Sequence, residues 1–401
     1  MPWARKTALL VAFGFPVQYR ALRCAHDSGL NDLVLGSAEA ACLRYSRFCS
    51  GFAQFEGSAS ELLAQNPDEM LRQVEHWASK WGASLILPAD KDAVALLGKA
   101  QGALTTPVFP VPKPADFELL DDKWSFHQLC RKLSIGVPRS WIFENKDDLL
   151  ASVRRDDLPS ELIVKPTRLY GEIGVMRFRA HNALEDLAAI NYSPIMVQEY
   201  IEGVDVNCSI VVVDGQACAK LSYVDLPLEK RFNCEPTILY QSEMIAGYLG
   251  VNGIFNFDTR RASDGEHYFL ECNPRPFMSM HMSAQAGVNC FAVGIERLNG
   301  IALPTVEMAQ WTVRKWRGLL RAAATPWTLT RMDLKVMRDA VSDPLPRAYE
   351  FSLALSRRLS SSRPPSRRSR FILAVVDRVL SSINGAARWL RGGASPERIK
   401  M

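Results

Sequence analysis

The stretch GIFNFDTRRASDGEHYFLECNPRP, residues 253–276, sets two apolar-rich runs on either side of Asp264 and Gly265. An Asp-Gly pair between such runs is the strongest short-range hairpin signal a sequence offers, so the stretch predicts two antiparallel strands with Asp264 and Gly265 as the turn. In that register Asp258 falls opposite Glu271. Directly opposed residues have Cβ atoms roughly 4.5–5.5 Å apart, and two carboxylates so placed destabilise a sheet unless positive charge lies between them. Asn273, two residues after Glu271, falls on the same strand face. Two carboxylates and a carboxamide are three hard oxygen donors, a set that suits Mg²⁺ sharing its shell with water and nucleotide phosphates. A solvent-exposed hairpin with scattered polar side chains is the alternative. The apolar setting of Glu271 in YFLECNP weighs against it, because a carboxylate buried there needs compensation.

Upstream of the hairpin, residues 7–13 (TALLVAF) read as a strand, 19–27 as a helix and 33–35 as a second strand. A helix over 67–81 and a buried strand over 83–87 follow. Alternation of this kind predicts a parallel, doubly wound sheet, whose ligands bind at the carboxyl ends of its strands. The proline-rich run TPVFPVPKP, residues 106–114, predicts an extended, semi-rigid connection and a domain boundary. A helix is expected from about 121 to 133. Beyond it come β-rich segments at 162–165, 195–200, 206–213 and 216–223, with Asp214 and Gly215 as a further hairpin turn. The expected division is 1–112, 113–305 and a basic, mainly helical extension over 306–401 with a linker near 360–370.

The middle segment carries further candidates. Lys165 ends the strand ELIVKP, where a lysine among buried neighbours needs an anionic partner. Gly171 to Gly174 (GEIG) form a turn able to lie over phosphates, although a plain surface hairpin would look the same. Lys123, in DDKWSF, opens a helix and is equally readable as a solvated lysine paired with Asp121 or Asp122. The strand MVQEYIEGVDV runs into Gln198 to Glu202, then Gly203 and a polar residue at Asp205; backbone groups of such an edge can meet the edge of an adenine and a nearby carboxylate can accept from ribose hydroxyls, or it is simply an edge strand running into a turn.

Composition limits the partners. The 401 residues are 48% hydrophobic and 23% charged, an ordinary globular balance that excludes wholesale disorder. The net charge of +5 is uneven: residues 301–401 hold 19 Lys plus Arg against 7 Asp plus Glu, and the first 300 residues are acidic. Nucleic acid is not expected as a partner, since no recognition motif accompanies the arginines. Residues 371–390 read as a basic amphipathic helix, which would suit peripheral contact with an anionic membrane or packing on the body. Nine cysteines without a CxxC pair, and an N-terminal apolar run too short for a secretory signal, fit a cytoplasmic compartment.

In their order along the chain, DDKW, IVKP, QEYIEGVD, FNFD and FLECNPRP resemble the elements of the ATP-grasp superfamily, which includes biotin carboxylase, carbamoyl phosphate synthase and D-alanine:D-alanine ligase. The resemblance covers about residues 5–300. It implies an α/β and α+β ATP-grasp fold with an N-terminal doubly wound pre-ATP-grasp domain and two lobes clasping ATP. It also implies that Lys123 and Lys165 contact phosphates, that Gln198, Glu199, Tyr200 and Ile201 form the adenine hinge and that Asp205 binds ribose. Asp258, Glu271 and Asn273 would hold Mg²⁺, with Mn²⁺ as the alternative ion, and Arg275 and Lys165 would act on the transferred phosphoryl group. The implied activity is a ligase reaction: a small-molecule carboxylate is activated by ATP as an acyl phosphate and attacked by an amine, with release of ADP and phosphate. The sequence departs from the family at 167–175, where Arg168, Leu169 and Tyr170 replace the small residues of the phosphate lid. This departure motivates a second reading, a nucleotide-binding regulator or scaffold without turnover. No GxGxxG fingerprint points to a nicotinamide cofactor, and no AMKM-like sequence offers a biotin lysine.

Overall fold

A computed structural model describes residues 6–100, 102–154, 158–159, 161–168, 173–179, 187, 190–233, 235–301, 306–307 and 310–361. The expected basic helix at 371–390, nearly all of the expected linker at 360–370 and the lid positions 169–172 lie outside the described residues.

Strands β1 (Thr7–Ala12), β2 (Asn31–Gly36), β3 (Gly51–Gln54) and β4 (Leu85–Pro88) form a parallel sheet in the order β3-β2-β1-β4. Its strands read as continuous apolar runs because both faces are covered. Leu10 and Val34 pack toward helix α1 (Pro16–Asp27), while Leu9 and Val11 pack toward α3 (Pro67–Lys80), which follows the short α2 (Ala59–Gln65), and toward α4 (Lys91–Lys99). Asp90, just past β4, is the N-cap of α4. It accepts from Ala93 N–H at 2.9 Å, Phe13 N–H at 2.7 Å and Gln18 Nε2 at 2.6 Å, and so ties the ends of β1, β4 and α1 together. Burial pushes its carboxyl up to about 6, against these hydrogen bonds.

The proline-rich run is extended, as its composition predicts, yet it is part of the sheet and not a free connection. Ile86 N–H donates to Pro107 and Phe109 N–H donates to Ile86, both at 2.8 Å. Prolines have no N–H to lose at such an edge, and the intervening Phe109 supplies the one donor needed. The single helix expected over 121–133 is two, α5 (Pro114–Asp121) and α6 (Lys123–Lys132), broken at Asp122, which leaves the helical conformation to cap α6 by accepting from Ser125 N–H at 2.8 Å.

Strands β5 (Ser140–Phe143), β6 (Glu161–Pro166), β7 (Met176–Arg179) and β8 (Ile195–Glu199) form an antiparallel sheet in the order β5-β8-β6-β7, backed by α7 (Lys146–Arg154). This lobe has its own core of Leu149, Leu162, Val164, Ile195 and Val197. The third sheet holds β9 (Gly203–Val213), β10 (Gln216–Asp225), β11 (Glu229–Asn233), β12 (Gly253–Ala262), β13 (His267–Asn273), β14 (Val306–Glu307) and β15 (Trp311–Arg314), in the order β13-β12-β9-β10-β11-β15 with β14 beside β10. Asp214 and Gly215, both at positive φ, make the β9–β10 turn that their pairing predicts.

The β12–β13 hairpin corrects one expectation. Its loop has three residues, 263–265: Ala262 N–H donates to Glu266, and Gly265 sits at φ +92°. Pairing near the loop is therefore one step off the two-residue register, with Arg261 opposite His267. An extra residue in β13, Leu270, forms a bulge that restores the register beyond it, so Asp258 does face Glu271.

Past β15 the chain forms helices Trp316–Ala323, Arg331–Val341 and Pro344–Ser361, the last two returning to α1. Among the described residues no helix is long and apolar enough to cross a membrane.

Candidate active site

The third sheet presents a ladder of polar pairs on one face. Strand alternation puts Asp205, Asn207 and Ser209 of β9 on the same side, and register sets them opposite Arg260, Asp258 and Asn256 of β12. Each pair is bonded: Arg260 Nη1 to Asp205 at 2.6 Å, Asn207 Nδ2 to Asp258, and Ser209 Oγ to Asn256 Oδ1 at 2.9 Å. Val206, Cys208 and Ile210, on the other face, are buried in the core.

At the Asp258 end the expected metal residues converge. Asn273 Nδ2 lies 3.2 Å from Asp258 Oδ2 and 3.4 Å from Glu271 Oε1, and its Oδ1 accepts from Arg275 Nη2 at 2.7 Å. Asn256 Nδ2 donates to Asp258 at 3.1 Å. Lys123, at the first position of α6, brings Nζ to 3.3 Å from Glu271 Oε2, while its backbone N–H donates to Thr167. Neither acid offered as its partner by the sequence takes that role: Asp121 pairs with Lys91 at 2.6 Å and Asp122 with Arg168 at 3.3 Å. Lys165, 5% exposed, reaches from β6 to the carbonyl of the bulge residue Leu270 at 3.2 Å. The bulge thus turns a backbone oxygen toward the lysine as well as setting the carboxylates opposite one another.

Electrostatics follow from this packing. Burial pulls the Lys165 ammonium down to about 8, with Lys123 acting in the same direction and Glu271 and Asp258 opposing. Burial pushes the Asp258 carboxyl well above the usual carboxylate range, and neighbouring Glu271 adds to that. Burial acts the same way on Glu271, but Lys123 and Lys165 outweigh it and hold its carboxyl low. Two carboxyl groups this close share what positive charge is available, and the lysines give it to Glu271.

At the other end of the ladder lie the expected hinge residues. Gln198 is buried, its Nε2 on Ser140 Oγ at 3.0 Å, and Glu199 holds Arg139 through two bonds of 2.8 and 3.1 Å. The guanidinium carbons of Arg177 and Arg260 lie 3.5 and 5.1 Å from the centroid of the Tyr200 ring. Arg260 also donates to the Ile201 carbonyl, to Tyr200 Oη and to the Gly203 carbonyl. It therefore fixes the hinge. Arg231, on β11, is exposed and paired with Glu229 at 2.7 Å. Sequence reasoning missed Asn207 and Asn256. The alternation of Asn256 with Asp258 was a usable signal, but Asn207 reaches the site only through the β9–β12 register.

Two family models match the chain. The RimK-like ATP-grasp domain covers residues 120–236, and the family described as ATP-grasp in the biosynthetic pathway with Ter operon covers 191–316. Both describe ATP-grasp domains, and together they span residues 120–316. Among curated proteins the chain is similar to the D-alanine–D-alanine ligase of Nitrosospira multiformis, 25% identical over 200 aligned residues that cover 44% of this chain and 64% of the relative. It is also similar to that of Methylibium petroleiphilum, 29% identical over 168 residues, covering 36% of this chain and 53% of the relative. The matches thus span between about half and two thirds of those ligases. A solved ADP complex of N5-carboxyaminoimidazole synthetase from Staphylococcus aureus superposes with a TM-score of 0.59 at 16% identity, over 77% of this chain and 81% of that one. At that identity the likeness establishes the ATP-grasp fold: a doubly wound N-terminal sheet, a small antiparallel lobe and the sheet bearing the polar ladder.

Proposed function

We propose that the chain is a ligase that uses ATP to activate a carboxylate as an acyl phosphate, which an amine then attacks to give an amide or related bond, with ADP and phosphate released. The observation that carries this reading is the convergence of Lys123, Lys165, Asp258, Glu271, Asn273 and Arg275 at one end of the polar ladder, with the hinge residues 198–201 and Asp205 at the other. Its support from the relatives is that the curated ones are ligases.

The donor set fits a hard divalent cation. Two opposed carboxylates, one of them pushed toward the neutral form, are an arrangement that a cation relieves. Among the described residues no three His, Cys, Asp or Glu side chains gather, so the third donor would be the carboxamide of Asn273, whose oxygen accepts from Arg275 Nη2 at 2.7 Å and would exchange that contact for the ion. Mg²⁺ held by Asp258, Glu271 and Asn273 would neutralise phosphate charge and orient the terminal phosphoryl group.

The protein's own groups do the remainder by position. Lys165, desolvated and close to neutral pH in its titration, gains full protonation next to a triphosphate and so binds the charged nucleotide in preference to an uncharged ligand. Lys123, 3.3 Å from Glu271, would become a second phosphate contact if a cation held that carboxylate. Arg275, adjacent to Asn273, stabilises the oxygens of the transferred group. Arg260 braces Asp205 and the Ile201 carbonyl so that the hinge presents fixed backbone groups to adenine.

The test is ADP release measured over panels of carboxylic acids and amines with MgATP. ADP formation that needs one acid and one amine together, falling by at least about 100-fold in Glu271→Gln, is the expected result. Full turnover in that variant, or nucleotide binding with no ADP release across the panels, overturns the reading, and the latter favours a regulator.

A further inference from the structure

Three arginines converge on one ring outside the polar ladder. Arg20 and Arg23 come from α1 and Arg347 from helix Pro344–Ser361, and their guanidinium carbons lie 5.7, 5.9 and 5.4 Å from the centroid of the Tyr19 ring. Arg20 and Arg23 are 6% and 4% exposed. Among the described residues two carboxylates form ion pairs with them. Glu350 takes Arg20 Nη2 and, at 3.1 Å, Arg347 Nη1, while Asp339 stands 3.5 Å from Arg23 Nη2. Asp343 faces the same ring, but its oxygens accept from Tyr19 Oη at 2.9 Å, Ser46 Oγ at 2.6 Å and Arg47 N–H at 2.9 Å.

Among the described residues, Nε and Nη1 of Arg20, Nε and Nη1 of Arg23 and Nε of Arg347 are buried with no acceptor, and Nδ1 of His281 is buried with no hydrogen-bond partner. His281 belongs to helix Met280–Gln285, which packs on α1, and it feels the charge of all three arginines. Buried charged donors are costly to leave unmatched, and each such group in a native fold calls for a partner. Arginine forks match the paired oxygens of phosphate and carboxylate, and several donors arriving from three elements match a ligand richer in acceptors than one glutamate.

We propose that Arg20, Arg23, Arg347 and His281 form a binding site for a small oxyanion, phosphate or carboxylate, in which Glu350 of the C-terminal helix occupies one part. The position suits a substrate group: α1 starts at the carboxyl end of β1, where parallel sheets bind ligands, and helix Met280–Gln285 follows closely on Arg275. As part of a ligase the site holds an anionic group of the acyl donor or acceptor, a role that rests on the proposed function; the binding itself does not.

The experiment titrates inorganic phosphate, and separately malonate, into the full chain by isothermal calorimetry without nucleotide. The chain carries Lys165→Met so that a lysine of the nucleotide site does not contribute. Millimolar or tighter binding of at least one anion is expected, weakened about tenfold or more by Arg23→Met and tightened about fivefold by Glu350→Gln, which removes the competing carboxylate. Stronger phosphate binding identifies a phosphorylated ligand, and stronger malonate binding a carboxylate. Absence of binding in the Glu350→Gln chain overturns the proposal, as does affinity that neither substitution changes. If Arg23→Met fails to fold by circular dichroism, the Glu350→Gln comparison decides alone. Phosphate binding that persists while no acid and amine pair supports ADP release overturns the ligase and leaves the oxyanion site standing.

Discussion

Lys165 keeps its charge in a place that resists it. Burial lowers the ammonium to about 8, whereas a free lysine titrates near 10.4, so close to pH 8 about half of the empty sites are neutral. A triphosphate beside it restores the charge and takes up a proton. Binding of ATP at pH 8 should therefore absorb about half a proton at this residue, and almost none at pH 6.5, where the lysine is already protonated. Calorimetric titrations in two buffers of different ionisation enthalpy measure the uptake. Lys165→Arg keeps the charge but does not deprotonate, so it should bind ATP without this component. Equal uptake by wild type and Lys165→Arg at pH 8 would remove Lys165 from the nucleotide site.

At the scale of elements, the β12–β13 hairpin shows what the sequence reveals and what it withholds. Asp258, Glu271 and Asn273 lie within one local pairing, so alternation and a turn signal suffice to bring them together. The loop length and the bulge at Leu270 were not legible, because both depend on how β13 meets its surroundings, and they compensate so that the carboxylates still face each other. Asn207 was out of reach for a related reason: nothing local specifies a register between strands separated by three other elements. The break between α5 and α6 was written in Asp122, a favoured N-cap residue, but an apolar period running through it hides the stop. Asp90, which joins β1, α1 and α4, offers a test at this scale. Its carboxyl is raised to about 6 in the fold against about 3.9 in an unfolded chain, so between those values the native state binds the extra proton. Stability gained from this group is therefore present at pH 4 and lost as pH rises through 6, on the order of 2–3 kcal/mol. Urea unfolding of wild type and Asp90→Asn at pH 4.5 and 7 should show the difference in stability between the two proteins changing in that direction. A difference independent of pH would mean that Asp90 titrates normally.

Across the whole molecule the buried side chains divide unevenly. One cluster runs without interruption from Leu10 and Leu22 of the N-terminal sheet layer, through Val211, Phe232 and Ile254 of the third sheet, to partly buried Met332, Tyr349 and Leu353 of the C-terminal helices. The small lobe has a separate core, and it meets the rest of the fold through polar contacts: Lys165 to the Leu270 carbonyl, the Thr167 carbonyl to Lys123 N–H, and Arg260 to the hinge. A unit with its own core and few apolar ties opens at lower free energy than the body it hangs from. Hydrogen exchange should accordingly be faster in β6 and β8 than in β9 and β12, each of which is paired on both sides within the continuous body. Because the candidate nucleotide contacts are divided between Lys165 and the hinge on the lobe and Lys123, Asp258 and Glu271 on the body, a bound nucleotide would tie the two together. MgATP should then slow exchange in β6 and β8 by about tenfold or more, equivalent to ~1.4 kcal/mol, and leave β1 and β2 unchanged. Equal slowing in all three sheets would indicate general stabilisation, and no slowing in the lobe would mean that nucleotide does not bridge it to the body.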